Sequence, residues 1–356
     1  MRPVSPASDR LPLKSTIHDV AKRARVSTST VSRTINSPSL VDAETAQRVR
    51  KAIDELKYYP NTQARSLVSG RSRIVGMIVS DITNPFFPEL VKSFEDVALR
   101  HGYDILVSST NYDSARMAVC VRRMLERKVD GVAIMTSEMD DHLIEQLAHG
   151  KVPMVFLDTG PRGEHIGNIV VNYTMGVNEA VEHLVALGHR RIGFVSGPSR
   201  LKSAQLRRSA FLQALDRYGI REDGALVQEG NHKVDGGLEA MTRMLEQTTV
   251  PTAALASNDL TAIGMLCALR RAGLVVPRDV SVVGFDDIWL AQYTEPPLTT
   301  VRLSQSELAQ RAFEALLADV GDAADRAAKP DYAIETHLVV RQTTCQAKTL
   351  LEGGQF

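Results

Sequence analysis

From Arg73 onward, short apolar runs of four to six residues alternate with stretches of helical periodicity. Runs of this length read as strands buried on both faces. They are residues 74–79, 104–107, 131–135, 153–157, 168–171, 191–195, 225–228, 253–256 and 281–285. Helical stretches such as 88–100, 115–127 and 140–148 lie between them. This alternation predicts parallel, doubly wound sheets.

The pattern restarts near residue 166, which predicts two α/β lobes with a cleft between them. A strand-like run at 299–303, a helix at 305–317 and a strand at 334–340 are expected to cross back between the lobes. The predicted bounds are about 73–165 plus 304–330 for the first lobe and about 166–300 plus 331–345 for the second. A tail is expected at 346–356.

The region before Arg73 has the pattern of a small all-α module. Ile17, Val20, Ala21 and Ala24 recur at the spacing of one helix face. Thr16 precedes them, with an acidic residue three positions later, as in a capping box.

A second and a third helix are predicted in the same module. Ser27 is the expected N-cap of a helix from Thr28 to about Ile35, and Asp42 is the expected N-cap of a helix that ends before Pro60. A short helix, a tight turn and a second helix form a helix-turn-helix.

The outward face of the second helix carries small hydroxyls and one guanidinium. The residues are Thr28, Ser29, Ser32 and Arg33. Such groups hydrogen-bond phosphates and base edges. A helical bundle with a merely solvated polar face has the same periodicity, so the spacing alone leaves both interpretations open.

The order of residues favours DNA binding. Ile-x-Asp-Val-Ala-x-x-Ala-x-Val-Ser-x-x-Thr-Val-Ser-Arg, followed by Asn36, resembles the headpiece of the lactose-repressor (LacI/GalR) family. The resemblance covers nearly the whole chain and implies a core like that of periplasmic sugar-binding proteins. It implies DNA contacts from Thr16, Ser27, Thr28, Ser29, Thr30, Ser32, Arg33, Asn36 and Tyr58.

A hinge is expected between headpiece and body. Pro-Asn-x-x-Ala-Arg-Ser-Leu resembles the family's hinge helix, which implies DNA contacts from Asn61, Ala64 and Leu67, with Leu67 as a minor-groove wedge. An ordinary linker is the alternative, because so short a helix is marginal alone. The predicted bounds are 1–15 for a disordered tail, 16–60 for the headpiece and 61–72 for the hinge.

Charge is distributed unevenly along a chain that has 42 basic and 42 acidic residues. Up to Arg73 there are 14 basic and 6 acidic residues, so this region carries +8 and the remainder −8. A basic module on an acidic body suits a phosphate-binding headpiece.

Candidate ligand-binding residues follow the predicted strands, because open α/β sheets bind ligands beyond the carboxyl ends of their strands. They are Asn84, Phe86, Phe87, Asp158, Ser203, Arg207, Asn258 and Asp286. Aromatic, acidic, amide and guanidinium groups together suit a polyhydroxylated ring.

Several of these assignments have structural alternatives. Phe87 could belong to the core, which makes Phe86 the better pocket residue, and Asp158 could hold a loop. Asp259 could cap its helix. Asp286 could cap residues 288–289 or hold the turn at Asp287.

The resemblance makes Phe86, Arg207 and Asp286 the strongest effector-binding candidates. Two positions depart from the family: His232 stands where several members place Trp or Phe against the ligand, and Leu201 where the purine-type member has arginine. The run Asn-Pro-Phe-Phe at 84–87 is similar to pentose and hexose binders, which favours a sugar or sugar derivative.

The predicted function is a ligand-responsive transcriptional regulator, most simply a repressor, that binds a pseudo-palindromic operator as a homodimer. A solute-binding protein of the periplasmic type is the alternative, which the headpiece and the absence of a signal-peptide pattern oppose. An enzyme is not expected, since no G-x-G-x-x-G follows the first strand and no P-loop or G-x-S-x-G occurs.

No cofactor, metal site or membrane association is expected, and the protein is expected to be cytoplasmic. The three cysteines, Cys120, Cys267 and Cys345, are far apart and read as buried structural thiols. The sequence after Arg341 contains no leucine heptads, so nothing predicts a tetramerising coiled coil.

Overall fold

The computed structural model describes residues 15–59, 70–136, 141–158, 160, 165–221, 224–320 and 332–348. The hinge candidates Asn61, Ala64 and Leu67 lie outside these residues, as do both end tails apart from Ser15 and residues 346–348. The chain divides into two compact units, Met1–Ser72 and Arg73–Phe356.

The described part of the first unit contains three α-helices: α1 (Ile17–Ala24), α2 (Thr28–Asn36) and α3 (Ala43–Leu56). Val20, Val31 and Val49 are fully buried where the three helices meet. A 3₁₀ turn at Pro38–Leu40 joins α2 to α3. The helix-turn-helix prediction is therefore confirmed in its local structure.

Ser15 belongs to this unit rather than to the preceding tail. Its hydroxyl donates a hydrogen bond of 2.8 Å to the carbonyl oxygen of Leu56, at the end of α3. The contact fixes the chain just before α1 begins.

Within its described residues, the second unit contains eleven strands joined in one sheet. They are β1 (Ile74–Val79), β2 (Asp104–Ser109), β3 (Gly131–Met135), β4 (Met154–Leu157), β5 (Ile166–Asn172), β6 (Ile192–Ser196), β7 (Val227–Glu229), β8 (Ala253–Ala256), β9 (Ser281–Asp286), β10 (Thr299–Leu303) and β11 (Tyr332–Val339). The strand order is β2-β1-β3-β4-β5-β11-β10-β9-β8-β6-β7. All pairs are parallel except β10 with β11.

Helices cover this sheet. They are α4 (Phe86–Arg100), α5 (Ser114–Glu126), α6 (Asp141–His149), α7 (Tyr173–Ala186), α8 (Lys202–Arg217), α9 (Val234–Leu245), α10 (Asp259–Arg271) and α11 (Gln305–Val320). Helix α11 packs on α4 and on β3 to β5, so it belongs to the first lobe although it follows the second in sequence. The doubly wound, two-lobe prediction is confirmed, with β11 joining the lobes through its pairing with β5 and β10.

The assignment of β5 to the second lobe was wrong. Its residues pair in parallel with β4, with Met154 opposite Ile166 and Leu157 opposite Ile169, so β5 extends the sheet of the first lobe. The local apolar pattern of a buried strand does not specify its neighbour, because pairing depends on distant residues.

The strand predicted at 225–228 begins later. A 3₁₀ turn occupies Gly224–Leu226, and β7 runs from Val227 to Glu229 at the edge of the sheet.

The cysteines are free thiols. Cys120 is buried as expected, whereas Cys267 and Cys345 are only half-buried. Among the described helices, none has both the length and the apolar composition needed to cross a membrane.

Candidate effector cavity and DNA-binding helix

One cavity in the second unit brings together the residues that the sequence singled out for ligand binding. Its lining includes all nine of them: Asn84, Phe86, Phe87, Asp158, Ser203, Arg207, His232, Asn258 and Asp286. They come from the carboxyl ends of strands in both lobes and from the helices that follow. The rule for open α/β sheets predicted this location for the residues at the strand ends, whereas the family resemblance supplied His232.

Arg207, in the second turn of α8, occupies the centre of the cavity wall. Its guanidinium carbon lies 4.1 Å from the ring centroid of Phe285 and 4.9 Å from that of Tyr173. One terminal nitrogen donates to the carbonyl oxygen of Ser257, and the other lies 3.5 Å from Oδ1 of Asp286. The arginine is buried, so these ring and carboxylate contacts replace the water it would otherwise hold.

Asp286 ends β9 with its carboxylate directed at the cavity rather than at the backbone of the next turn. The amide of Ile288 donates to Asp259, and the amide of Trp289 donates to Glu89. The alternative in which Asp286 caps these two residues is therefore wrong. Burial raises the pKa of Asp286 to about 7, although Arg207 opposes the rise.

Asp259 has a structural role of its own. It is fully buried, and its carboxylate accepts hydrogen bonds from the Ile288 amide, at 2.8 Å, and from the Thr300 hydroxyl. The N-cap of α10 is Asn258, whose side chain accepts from the amide of Thr261. Asp259 holds the turn after β9 instead of capping the helix.

Asp158 follows β4 in a left-handed conformation, with φ of 65°. Its Oδ2 accepts a hydrogen bond of 3.0 Å from the hydroxyl of Tyr173, the first residue of α7. Burial raises the pKa of the Asp158 carboxyl above its ordinary range. The residue links the two lobes at the cavity and lines it at the same time.

Phe86 and Phe87 both line the cavity, and both also pack into the core. Their rings meet edge to face, with centroids 5.3 Å apart. Asn84 orients this pair because its Oδ1 accepts from the amide of Phe86 at 3.1 Å. The two phenylalanines thus form an apolar corner against which a ring can pack.

His232 is held in a left-handed conformation, with φ of 62°, and is buried in the cavity wall. Its carbonyl oxygen accepts from the side chain of Asn258 at 3.0 Å. Its ring lies against Gly197, where a Cβ atom would collide with Nε2. Burial first, and then the charges of Arg207 and Arg200, lower the pKa of His232 to about 3, so the imidazole is neutral.

Several further residues line the cavity and were not predicted from the sequence. They are Ser80, Tyr112, Met135, Thr136, Leu157, Tyr173 and Leu303. Ser80 and Thr136 directly follow β1 and β3, and their hydroxyls are 2.9 Å apart, so the strand-end rule could have identified them. Tyr173 begins the helix after β5, whose lobe was misassigned.

Two contacts join the lobes at the edge of the cavity. Glu89, in α4 of the first lobe, accepts a hydrogen bond of 3.0 Å from the amide of Trp289 in the second. Lys233 of the second lobe lies 3.9 Å from the carboxylate of Asp81 in the first. Burial raises the pKa of Glu89. We call the Glu89–Trp289 contact the clasp.

Removing the clasp should favour separation of the lobes. We expect Glu89→Ala to weaken the binding of any ligand that needs the closed arrangement by about 1 kcal/mol, or roughly fivefold. Trp289 is the only tryptophan and is half-exposed, so its fluorescence can report the titration. Glu95→Ala, an equal charge change at an exposed site in α4, is the control. Equal affinities for the two variants would show that the clasp does not matter for closure.

Most of the DNA-binding candidates in the first unit lie on α2 or at its N-cap, and Thr16 and Tyr58 lie outside it. The Ser27 side chain accepts from the amide of Thr30 at 3.2 Å, as predicted for the N-cap. The Thr16 capping box is also confirmed: its side chain accepts from the Asp19 amide while Asp19 accepts from the Thr16 amide. These caps fix the N-terminal ends of α1 and α2.

Arg33 is the only cation in α2. Its guanidinium is exposed and makes no ion pair with any carboxylate of the described residues, unlike Arg23, which pairs with Glu55. Ser29 and Asn36 are exposed, whereas Thr28, Thr30 and Ser32 are half-buried. Tyr58 packs half-buried against the edge of the headpiece core.

Two family models match the chain. Residues 16–61 match the description "Bacterial regulatory proteins, lacI family", and residues 181–344 match "Periplasmic binding protein-like domain". The first covers the helix-turn-helix and the second covers most of the second lobe.

Full-length relatives and solved structures agree with these models. The chain is 36% identical over 309 residues to the HTH-type transcriptional repressor PurR of Vibrio atlanticus (strain LGP32), covering 86% of this chain and 92% of the relative. It is similar to the Lac repressor dimer bound to operator and the anti-inducer ONPF, with a TM-score of 0.81 at 32% identity, over 93% and 99% of the two chains. The regulator CelR in complex with cellobiose has a TM-score of 0.69 at 28% identity, over 92% and 99%.

The chain belongs to the lacI family of bacterial regulatory proteins. It is a ligand-responsive transcriptional repressor and not an enzyme, and the solute-binding alternative is not favoured.

Proposed function

We propose that this repressor binds a pseudo-palindromic operator as a homodimer and that a sugar-like effector in the cavity changes its affinity for DNA. The observation that carries the proposal is the cavity itself. Arg207, Asp286, Asp158 and two aromatic residues meet there at the carboxyl ends of the strands. The Lac repressor is a dimer on its operator in one similar structure, and CelR holds cellobiose in another.

The headpiece supports the DNA half of the proposal. The helix α2 exposes hydroxyls and a guanidinium that a major groove accommodates. Thr16, Ser27 and Tyr58 are proposed to contact the phosphate backbone, and Asn61, Ala64 and Leu67 to act in the hinge. Because its proposed target is operator DNA, the protein is proposed to act in the cytoplasm.

The cavity supports the effector half. Carboxylate oxygens accept hydrogen bonds from adjacent hydroxyls, while the aromatic corner of Phe86 and Phe87 packs against the C–H face of a sugar ring. Effector action requires different affinities for the two lobe arrangements. The contacts between lobes at Asp158–Tyr173 and at the clasp are the elements whose equilibrium a ligand would shift.

The direct test is a gel shift of the full chain on its own upstream region, with and without added sugars. A specific complex that a sugar weakens or strengthens supports the proposal. If the chain binds this DNA no better than random duplex, and also selects no sequence from a randomised pool, it is not an operator-binding repressor.

Substitution of Arg33 tests whether this side chain recognises a base of the operator. A bidentate contact between arginine and guanine contributes roughly 1–3 kcal/mol of discrimination, so Arg33→Ala should weaken specific binding and flatten preference at one base pair of each half-site. Arg50→Ala, at an exposed position in α3, removes the same charge and should leave the base preference intact. Equal weakening on operator and on random DNA by Arg33→Ala would make Arg33 a phosphate contact instead.

A further inference from the structure

The charges of the cavity wall define the ligand more narrowly. We propose that the cavity accepts an uncharged polyhydroxylated ring and excludes the phosphorylated and carboxylated forms of the same sugar. This inference rests on the proposed effector function.

The cavity has little positive charge to offer an anion. Arg207 is the only cation among the described residues that line it. Its guanidinium already lies over the neighbouring rings of Phe285 and Tyr173, and its terminal nitrogens are directed at Ser257 and Asp286. Only Nε has no partner within the described part of the chain. A phosphate would have to displace Asp286 from Arg207 to gain a bidentate contact.

The wall already holds two carboxyl groups against one guanidinium. Asp158 and Asp286 are both buried, and burial raises the pKa of each carboxyl. The same burial would penalise the charge of an anionic ligand, which would also face each of these carboxylates that is ionised. Hydroxyl groups of a neutral ligand would instead donate to these oxygens and stabilise them.

The remaining polar lining residues are neutral. His232 stays uncharged in the wall because of its burial, and Ser203, Asn84 and Asn258 carry no charge. Leu201, at the N-terminal cap of α8, contributes a buried apolar side chain to the lining. None of these groups compensates the negative charge of a phosphate or a carboxylate.

Cations do occur near the cavity, but outside its lining. Lys202 and Arg200 are exposed, and Lys233 lies near Asp81 at the edge between the lobes. They would attract an anionic ligand to the edge of the cavity, but they do not line the wall beside the aromatic corner. The surface near the cavity therefore offers an anion several cations, whereas the described lining offers it only Arg207.

The test compares matched neutral and charged sugars on the full chain. The probes are D-glucose, D-galactose, D-ribose and cellobiose, together with glucose 6-phosphate, galactose 6-phosphate, ribose 5-phosphate, glucuronate and galacturonate. Thermal shift and calorimetry should show that an uncharged probe binds and that its charged form binds at least a hundredfold more weakly. A charged form that binds within tenfold of its neutral parent, or more tightly, would overturn the proposal.

A variant isolates the electrostatic cause. Asp158→Asn keeps an acceptor for the Tyr173 hydroxyl and removes one negative charge, so it should reduce the discrimination against the phosphate at least tenfold. Asp216→Asn, an exposed position in α8, should leave the discrimination unchanged. An unchanged ratio in Asp158→Asn would refute charge exclusion.

The outcomes also separate this inference from the proposed function. If none of the sugars, neutral or charged, shifts the melting temperature, the proposal that the cavity binds a polyhydroxylated ring is refuted. Operator binding, measured separately by gel shift, would still decide whether the chain is a repressor.

Discussion

Asp286→Asn is expected to bind operator like the parent in the absence of effector and to lose the response to effector. The amide keeps the shape of the side chain and one acceptor oxygen but removes the charge-assisted hydrogen bond. That loss corresponds to roughly 1.5–3 kcal/mol, or about ten- to a hundredfold in effector affinity. Since an effector acts only through its differential affinity for two arrangements, the switch weakens with the ligand. Effector titration of a gel shift measures both quantities.

Asp259 provides a matched control for this substitution. Both residues are buried aspartates with pKa values raised by burial, but the carboxylate of Asp259 accepts hydrogen bonds from the Ile288 amide and the Thr300 hydroxyl and does not line the cavity. We expect Asp259→Asn to lower the free energy of unfolding by about 1–3 kcal/mol while the folded protein keeps its effector affinity. A normal effector midpoint in Asp286→Asn would assign Asp286 to structure, and the binding site would centre on Arg207 and Phe86.

The pH dependence gives an independent check on Asp286. Its pKa rises from 3.8 to about 7 on folding, so ionising it opposes folding, and its contribution to stability falls as the pH rises through this range. Effector affinity should move in the opposite direction, since the carboxylate is the better acceptor, and should increase from pH 6 to pH 8. Asp286→Asn should remove this increase.

The sequence predicted which residues line the cavity better than it predicted their contacts. Strand ends are visible in local apolar patterns, and the carboxyl ends of parallel strands meet at one edge, so Asp158, Asn258 and Asp286 could be placed together. The acceptor for the Ile288 amide could not be predicted. It is supplied by Asp259, which lies 29 residues earlier in the chain, and only the folded structure brings the two together.

The assignment of β5 failed for a related reason. Its buried pattern fits either lobe, and only pairing with β4 places it in the first. Because of that error, Tyr173 was not predicted to line the cavity. It begins the following helix, and its hydroxyl donates to Asp158. Pairing partners are long-range information, whereas caps such as Thr16 and Ser27 are local and were predicted correctly.

Arg207→Met should cause the largest loss of stability in the second unit. The substitution leaves Asp286 buried without its cation and the carbonyl of Ser257 without its donor. Breaking a buried ion pair by removing one partner costs roughly 3–5 kcal/mol, because a buried charge remains uncompensated. Urea unfolding followed by the fluorescence of Trp289, the only tryptophan, reports on this unit.

The pH and a second substitution identify the cause of that loss. At pH 5.5 Asp286 takes up a proton, since its pKa is about 7 even beside Arg207, so the penalty of Arg207→Met should be smaller there than at pH 8. Arg207→Met combined with Asp286→Asn should be more stable at pH 8 than Arg207→Met alone, because no carboxylate remains to be compensated. Arg217→Met, at the exposed end of α8, should stay within about 0.5 kcal/mol of the parent. If Arg207→Met loses as much stability at pH 5.5 as at pH 8, and the second substitution recovers nothing, then the packing of the guanidinium on the rings of Phe285 and Tyr173, rather than its charge, supports the cavity wall.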